Sequence, residues 1–196
     1  MKQFIFLCMV VACLLPACNN NKKTVEVKSE DGKPTASVDD SKMQQLAEEI
    51  KKQSEELQKL PPLTLDELKA LLPESIMGAK RSHFEVNSAM GTGLANAEYS
   101  INDSTEVKIN IWDCGGPAGS GYYSTQYMTL LNIQSVSDNE YTKTIDFKGH
   151  KAIENCNNTN NRCSLTYFTG KRYMVVIEGR NVHPDGLKQA ANELTI

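Results

Sequence analysis

Apolar residues recur along this chain with two different rhythms, and each predicts its own kind of element. From Lys42 to Leu60, Met43, Leu46, Ile50, Leu57 and Leu60 fall at alternating three- and four-residue steps, with Gln53 in the vacant seam position. That spacing puts them on one side of a 3.6-residue repeat, so the segment reads as an amphipathic helix of about five turns. Pro61-Pro62 ends it. The stripe is too short for a coiled coil, so the helix is expected to lie on its own domain, with a partner helix as the alternative. Thr64-Leu65-Asp66-Glu67 then forms a capping box ahead of a second helix, whose Leu65, Leu68, Leu71 and Leu72 share a side and which Pro73 stops.

Further on the period drops to two. Ala95, Ala97, Tyr99 and Ile101 alternate with polar residues, and after a turn at Asn102-Asp103 so do Val107, Ile109 and Ile111. Both runs predict strands with one face to a core. Cys114–Gly121 reads as loop, and Tyr123, Tyr127, Leu130, Leu131 and Gln134 fall on one side of a helix from Tyr122 to Gln134. Four strands follow, separated by tight turns at Lys148-Gly149 and Gly170-Lys171 and a longer loop, Asn157–Arg162. Pairing Phe147 with His150 sets Lys143 opposite Glu154 and Asp146 opposite Lys151, two opposite-charge pairs. It also sets Ala152 opposite Tyr167, Tyr167 opposite Met174, Leu165 opposite Val176, and Cys156 opposite Cys163. His183-Pro184-Asp185 opens a last helix with Leu187, Ala190, Ala191 and Leu194 inward.

This order predicts an α+β fold, an antiparallel sheet of about six to seven strands covered by helices, with a C-terminal four-strand meander. The order of elements resembles that of the PsbP/Mog1-like group of small α/β sandwiches. The resemblance lies in element order alone and implies no function.

The N-terminus changes the picture. Lys2 precedes an uncharged apolar run, Phe4 to Leu15, too short to cross a bilayer and of the length of a secretory signal core. Leu15-Pro16-Ala17-Cys18 resembles the lipobox of bacterial lipoproteins. That resemblance implies a signal peptide over residues 1–17, with Cys18 as the lipidated first residue of the mature chain. Val10-Val11-Ala12-Cys13 matches the same pattern but leaves too short an apolar run before it. Palmitate-length chains on Cys18 tether a protein to a membrane without spanning it. The resemblance places the protein in the cell envelope, in the periplasm or beyond it, and Asn19 favours the outer membrane. Residues 18–41 are polar and of mixed charge and read as a flexible tether. Residues 61–196 form the globular domain.

Composition narrows the function classes. The 196 residues carry 21 Lys+Arg against 24 Asp+Glu, a net charge of −3. No cationic excess is present to neutralise phosphates, which argues against a nucleic-acid binder. Cys156 and Cys163 are expected to form a structural disulfide in an oxidising compartment, their spacing being unlike the C-x-x-C of redox sites. Cys114 is then unpaired, in Trp112-Asp113-Cys114-Gly115-Gly116-Pro117. A thiol enzyme needs a base within reach, and His83, His150 and His183 are scattered in the sequence. The Gly115–Gly121 run lacks the Lys-Ser/Thr of a phosphate-binding loop. It reads instead as a contact loop, with Trp112, Asp113, Cys114, Tyr122 and Tyr123 as candidate partner-facing residues. No metal-ligand spacing and no cofactor motif stands out. Asp103-Ser104-Thr105 resembles a short acceptor that some Gram-negative bacteria O-glycosylate, which marks Ser104. The expectation is a membrane-anchored lipoprotein with a non-enzymatic module for an envelope protein or small ligand. A structural or assembly factor using helix 42–60 and a thiol-dependent enzyme are the alternatives.

Overall fold

The computed structural model describes residues 24–28, 34–89, 91–127 and 133–196. The signal segment, Cys13 and Cys18, and Leu130 and Leu131 of the predicted third helix lie outside them. Two compact units divide the chain, Met1–Leu46 and Ala47–Ile196. In the first, β1 (Thr24–Lys28) and β2 (Pro34–Asp39) pair antiparallel, in a stretch whose composition predicts no element. The signal was local: Thr24-Val25-Glu26-Val27 alternates with period two, which the polar average concealed. Helix α1 spans Asp40–Gln58.

The second unit continues with α2 (Leu65–Ala70), β3 (Ser75–Ile76), β4 (Ala79–Ala89), β5 (Thr92–Ser100), β6 (Glu106–Asp113) and α3 (Gly116–Tyr127). There follow β7 (Gln134–Val136), β8 (Glu140–Phe147), β9 (His150–Asn157), β10 (Arg162–Thr169), β11 (Tyr173–Arg180) and α4 (Pro184–Asn192). β3 to β11 make one sheet, in the order β3-β4-β5-β6-β11-β10-β9-β8-β7. Two antiparallel meanders thus meet where β6 pairs with β11. The fold is α+β, with nine strands in the sheet.

Burial alternates along the central strands as their pleat requires. Ala95, Ala97, Tyr99, Val107, Ile109, Ile111, Tyr167, Val175 and Ile177 lose all their exposed surface on one side of the sheet. Leu68 and Leu72 of the α2 region, and Leu187, Ala190, Ala191 and Leu194 at α4, complete that core. At Gly179 a Cβ would come 2.7 Å from Val182 Cβ and 2.8 Å from Leu187 Cδ2, so a larger residue there would push α4 off the sheet. The capping box of α2 forms, with Glu67 N–H donating to Thr64 Oγ1 (3.3 Å) and Thr64 N–H to Glu67 Oε2 (2.8 Å).

Four expectations are corrected. The sheet has nine strands instead of the expected six to seven; β4 gives no usable sequence rhythm, because Ser82, His83, Phe84 and Glu85 are exposed on both faces. The stretch read as loop, Cys114–Gly121, begins helix α3 at Gly116, and Gln134 belongs to β7 instead of a helix. Gly119 serves close packing: a Cβ on it would sit 2.6 Å from the Cys114 carbonyl carbon and 2.7 Å from Asp113 O. Leu65 faces solvent, 51% exposed. In the meander, Phe147–His150, Lys143–Glu154, Asp146–Lys151, Ala152–Tyr167 and Cys156–Cys163 are in register as expected. The β10–β11 ladder is shifted by one residue: Tyr167 faces Val175 and Leu165 faces Ile177. Its turn holds three residues, Gly170, Lys171 and Arg172, with Arg172 N–H donating to Thr169 O (3.1 Å). That extra residue turns Val175 and Ile177 onto the core side.

Candidate functional site

Cys156 and Cys163 sit opposite each other on β9 and β10 and are joined as a disulfide. Cys114, at the end of β6, is the free cysteine among the described residues and is buried. Burial pushes its thiol up to about 12, so at neutral pH it carries its proton and is a poor nucleophile. Its sulfur has Trp112 O at 3.9 Å. The histidines are on separate elements: His83 in β4, His150 at the start of β9, His183 at the N-cap of α4, all exposed.

The five residues expected to face a partner separate into two groups. Asp113, Cys114 and Tyr123 are buried, and Tyr123 packs against Phe168 with ring centres 4.6 Å apart. Trp112 and Tyr122 are half-buried and stack at 5.5 Å. Asp113 is buried on the core side of β6 in the row of Val107, Ile109 and Ile111, and Gly119 of α3 packs against the backbone of Cys114.

Asp113 has 0% exposure and four donors. Arg172 grips it twice, Nε to Oδ1 at 2.6 Å and Nη2 to Oδ2 at 2.9 Å. Leu63 N–H donates to Oδ2 (2.8 Å) and Gly115 N–H to Oδ1 (2.9 Å). Burial alone would raise its pKa, but the Arg172 guanidinium and the two backbone N–H groups outweigh it and hold the carboxyl below its ordinary value. Arg172 Nη2 also donates to Pro61 O at 2.6 Å. The network therefore ties the end of β6, the β10–β11 turn and the α1–α2 connection together, which is a structural clamp. Sequence reasoning noticed Asp113 for its neighbours and missed Arg172, whose turn position carries no recognisable motif.

A second buried carboxylate, Glu154 on β9, is 2% exposed. Tyr141 Oη donates to Oε1 (2.9 Å), Lys143 Nζ lies 2.9 Å from Oε1 and Lys188 Nζ 3.0 Å from Oε2. The Lys188 contact is an ion pair whose geometry leaves Oε2 without a formed hydrogen bond. Burial raises Glu154 and these three partners lower it, with a net shift downward. This cluster holds α4 to the sheet.

What remains for recognition is the other face of the sheet. Its first row, Leu94, Trp112, Met174 and Phe168, lies across β5, β6, β11 and β10, with Tyr123 of α3 on Phe168. Beyond it, apart from Val176 and Ile153, the side chains are polar, and none of the row is buried: Asn96 and Asn110 hydrogen-bond across β5–β6, and Lys108 pairs with Glu98 at 3.2 Å. Asn155 donates to Thr142 Oγ1 (2.7 Å) and to Glu140 Oε1 (3.3 Å). A shallow depression of about 310 Å³ opens there, lined by Glu140, Asn155, Asn157, Arg162, Ser164 and Glu178. Its donors and acceptors suit hydrogen bonding to a polar ligand. Among the described residues no group of three His, Cys, Asp or Glu is placed to hold a metal ion, and no helix is long and apolar enough to cross a membrane.

Ser104 lies in the exposed β5–β6 turn, its N–H and hydroxyl both donating to Asn102 Oδ1 at 3.0 Å. Comparison of the chain with models of known protein families, with curated proteins and with solved structures found no significant match.

Proposed function

We propose that this chain is a lipid-anchored protein of the cell envelope, acylated at Cys18 and held at the outer membrane. Its globular unit binds a protein or small ligand through the half-open, polar face of the sheet. The observation that carries the binding site is the contrast between faces. The α2/α4 side is closed, while past the Leu94–Phe168 row the opposite side keeps hydroxyl, amide and charged groups in reach of water. Such groups reserve hydrogen-bonding capacity for a ligand. Binding is favoured over thiol catalysis because Cys114 is buried and protonated. Assembly through helix 42–60 loses support because Ile50 and Leu57 of α1 are buried. In the same helix, Gln53 and Ser54 donate to Lys171 O and Ser120 O.

The anchor is tested by metabolic labelling with a tagged palmitate analogue: label is expected on the wild type and absent from Cys18→Ala. Equal labelling of both removes the anchor from Cys18. The face is tested by capture from envelope extracts with wild type and a Thr142→Lys/Ser164→Lys/Glu178→Lys variant. Loss of the captured species supports the face, and an unchanged set excludes it.

A further inference from the structure

Strand β4 borders the sheet for most of its length. β3 pairs with Ala79 and Lys80 alone, and Arg81 N–H donates to Glu74 O at 2.9 Å. Among the described residues, Ser82 to Ala89 therefore have β5 on one side and no strand on the other. Such an edge offers a row of N–H and C=O groups that another chain can satisfy, and proteins usually blunt it. The opposite edge follows that rule, since β7 has three residues. β4 carries a bulge between Arg81 and His83, but from His83 to Ala89 its pairing with β5 is regular.

Two further features converge on this edge. Phe84 is 40% exposed, and it shares with Leu65 of α2 and Val136 of β7 the condition of a large apolar side chain open to solvent. Over the Phe84 ring stand two cations, Arg81 with Cζ 4.5 Å from its centre and Lys69 with Nζ at 5.5 Å. Neither has a carboxylate within ion-pairing distance among the described residues, and Arg81 Nη1 donates to the neutral Leu72 O at 2.9 Å. Unsatisfied backbone, an open aromatic and unneutralised positive charge thus occur together.

We propose that the outer edge of β4, Ser82 to Ala89, docks an extended acidic polypeptide segment as an added strand. Main-chain hydrogen bonds along the edge supply affinity. An apolar side chain of the incoming strand packs on Phe84, and its carboxylates meet Lys69 and Arg81, which select acidic sequences. A strand without negative charge would leave both cations uncompensated.

The test uses the full chain and a fluorescein-labelled eight-residue peptide alternating valine with glutamate. A lysine-for-glutamate peptide and an acidic peptide with alternate backbone amides N-methylated serve as comparisons. The acidic peptide is expected to bind about tenfold or more tightly than the lysine peptide, about 1.4 kcal/mol, and N-methylation is expected to abolish binding. Amide exchange should slow in Ser82 to Ala89 on binding. Lys69→Glu, which changes an exposed side chain away from the core, should erase most of the acidic preference. Equal affinity for the two charge types overturns the proposal, as does binding that survives N-methylation or leaves exchange in β4 unchanged. No binding at millimolar peptide, binding to phosphatidylglycerol vesicles in place of peptide, or occupation of the edge by a second copy of this chain overturns it equally. Failure here leaves the half-open face untouched, because that face has its own variant.

Discussion

On the α2/α4 side of β6, Val107, Ile109 and Ile111 have no exposed surface, and Asp113 continues the same row. On the other side of that strand Lys108, Asn110 and Trp112 each keep part of theirs. The same eight residues thus make a dry face and a half-open one, and the two obey different rules for polar groups. On the dry face Asp113 and Glu154 are tolerated because each is surrounded by donors and cations. On the half-open face a carboxylate such as Glu178 needs no partner from its own chain, since water serves.

The largest break in this contrast should come from Asp113→Ala. Arg172 keeps 16% of its side-chain surface, so the variant strands a largely buried guanidinium. A loss of about 3–5 kcal/mol is expected in urea unfolding of the 47–196 unit within the full chain. Ile109→Ala removes apolar volume from the dry face and should cost about 2–5 kcal/mol, while Val176→Ala, one row over on the half-open face, should cost about 1 kcal/mol or less. Equal losses at the two positions would mean that the second face is closed in solution. Replacing both Cys156 and Cys163 with serine opens a short covalent loop of sequence separation 7. About 2–3 kcal/mol is the expected loss, read in the same assay.

Acid sharpens the comparison further. Asp113 and Glu154 both have their pKa lowered by folding, so the unfolded chain binds protons more readily than the folded one. Their contribution is complete above the unfolded carboxylate range, about 4, and is lost as the pH falls through the folded values. Urea midpoints should therefore hold steady from neutral pH to about 5 and then decline. Glu154→Gln should start from a lower midpoint and decline less, and an identical slope would show that Glu154 contributes nothing to the acid limb.

The dry face was largely legible in the sequence, because period-two runs such as Val107-Ile109-Ile111 and opposite-charge pairs such as Lys143–Glu154 both report on it. The disulfide register followed from the same arithmetic. β4 was not legible, since a strand exposed on both faces has no alternation to display. Neither was α3, whose Gly116–Gly121 sequence is that of a loop until Gly119 is seen pressed against the backbone of Cys114. The half-open face escaped for a related reason: its residues were noticed only as the polar partners of the alternation. Of the candidate contact site drawn around Cys114, the fold buries Asp113, Cys114 and Tyr123 and leaves Trp112 and Tyr122 half-exposed. Arg172 shows the same limit at one position, because a three-residue turn and a two-residue turn differ by a single residue, whose bonds to Asp113 and Pro61 no sequence motif announces.

The smallest expected effect is the most telling for recognition. Glu178→Gln changes one charge on the half-open face, at a residue exposed beside Ser164 and opposite Lys108. With no buried partner to strand, its cost to stability should be about 0.5 kcal/mol or less. If the face is a binding surface, the same substitution should still weaken capture of an envelope partner, because a ligand that covers the depression must replace the water around Glu178. A variant as stable as the wild type and unchanged in capture would leave that carboxylate outside the bound area, and would move the site toward Asn155 and Thr142.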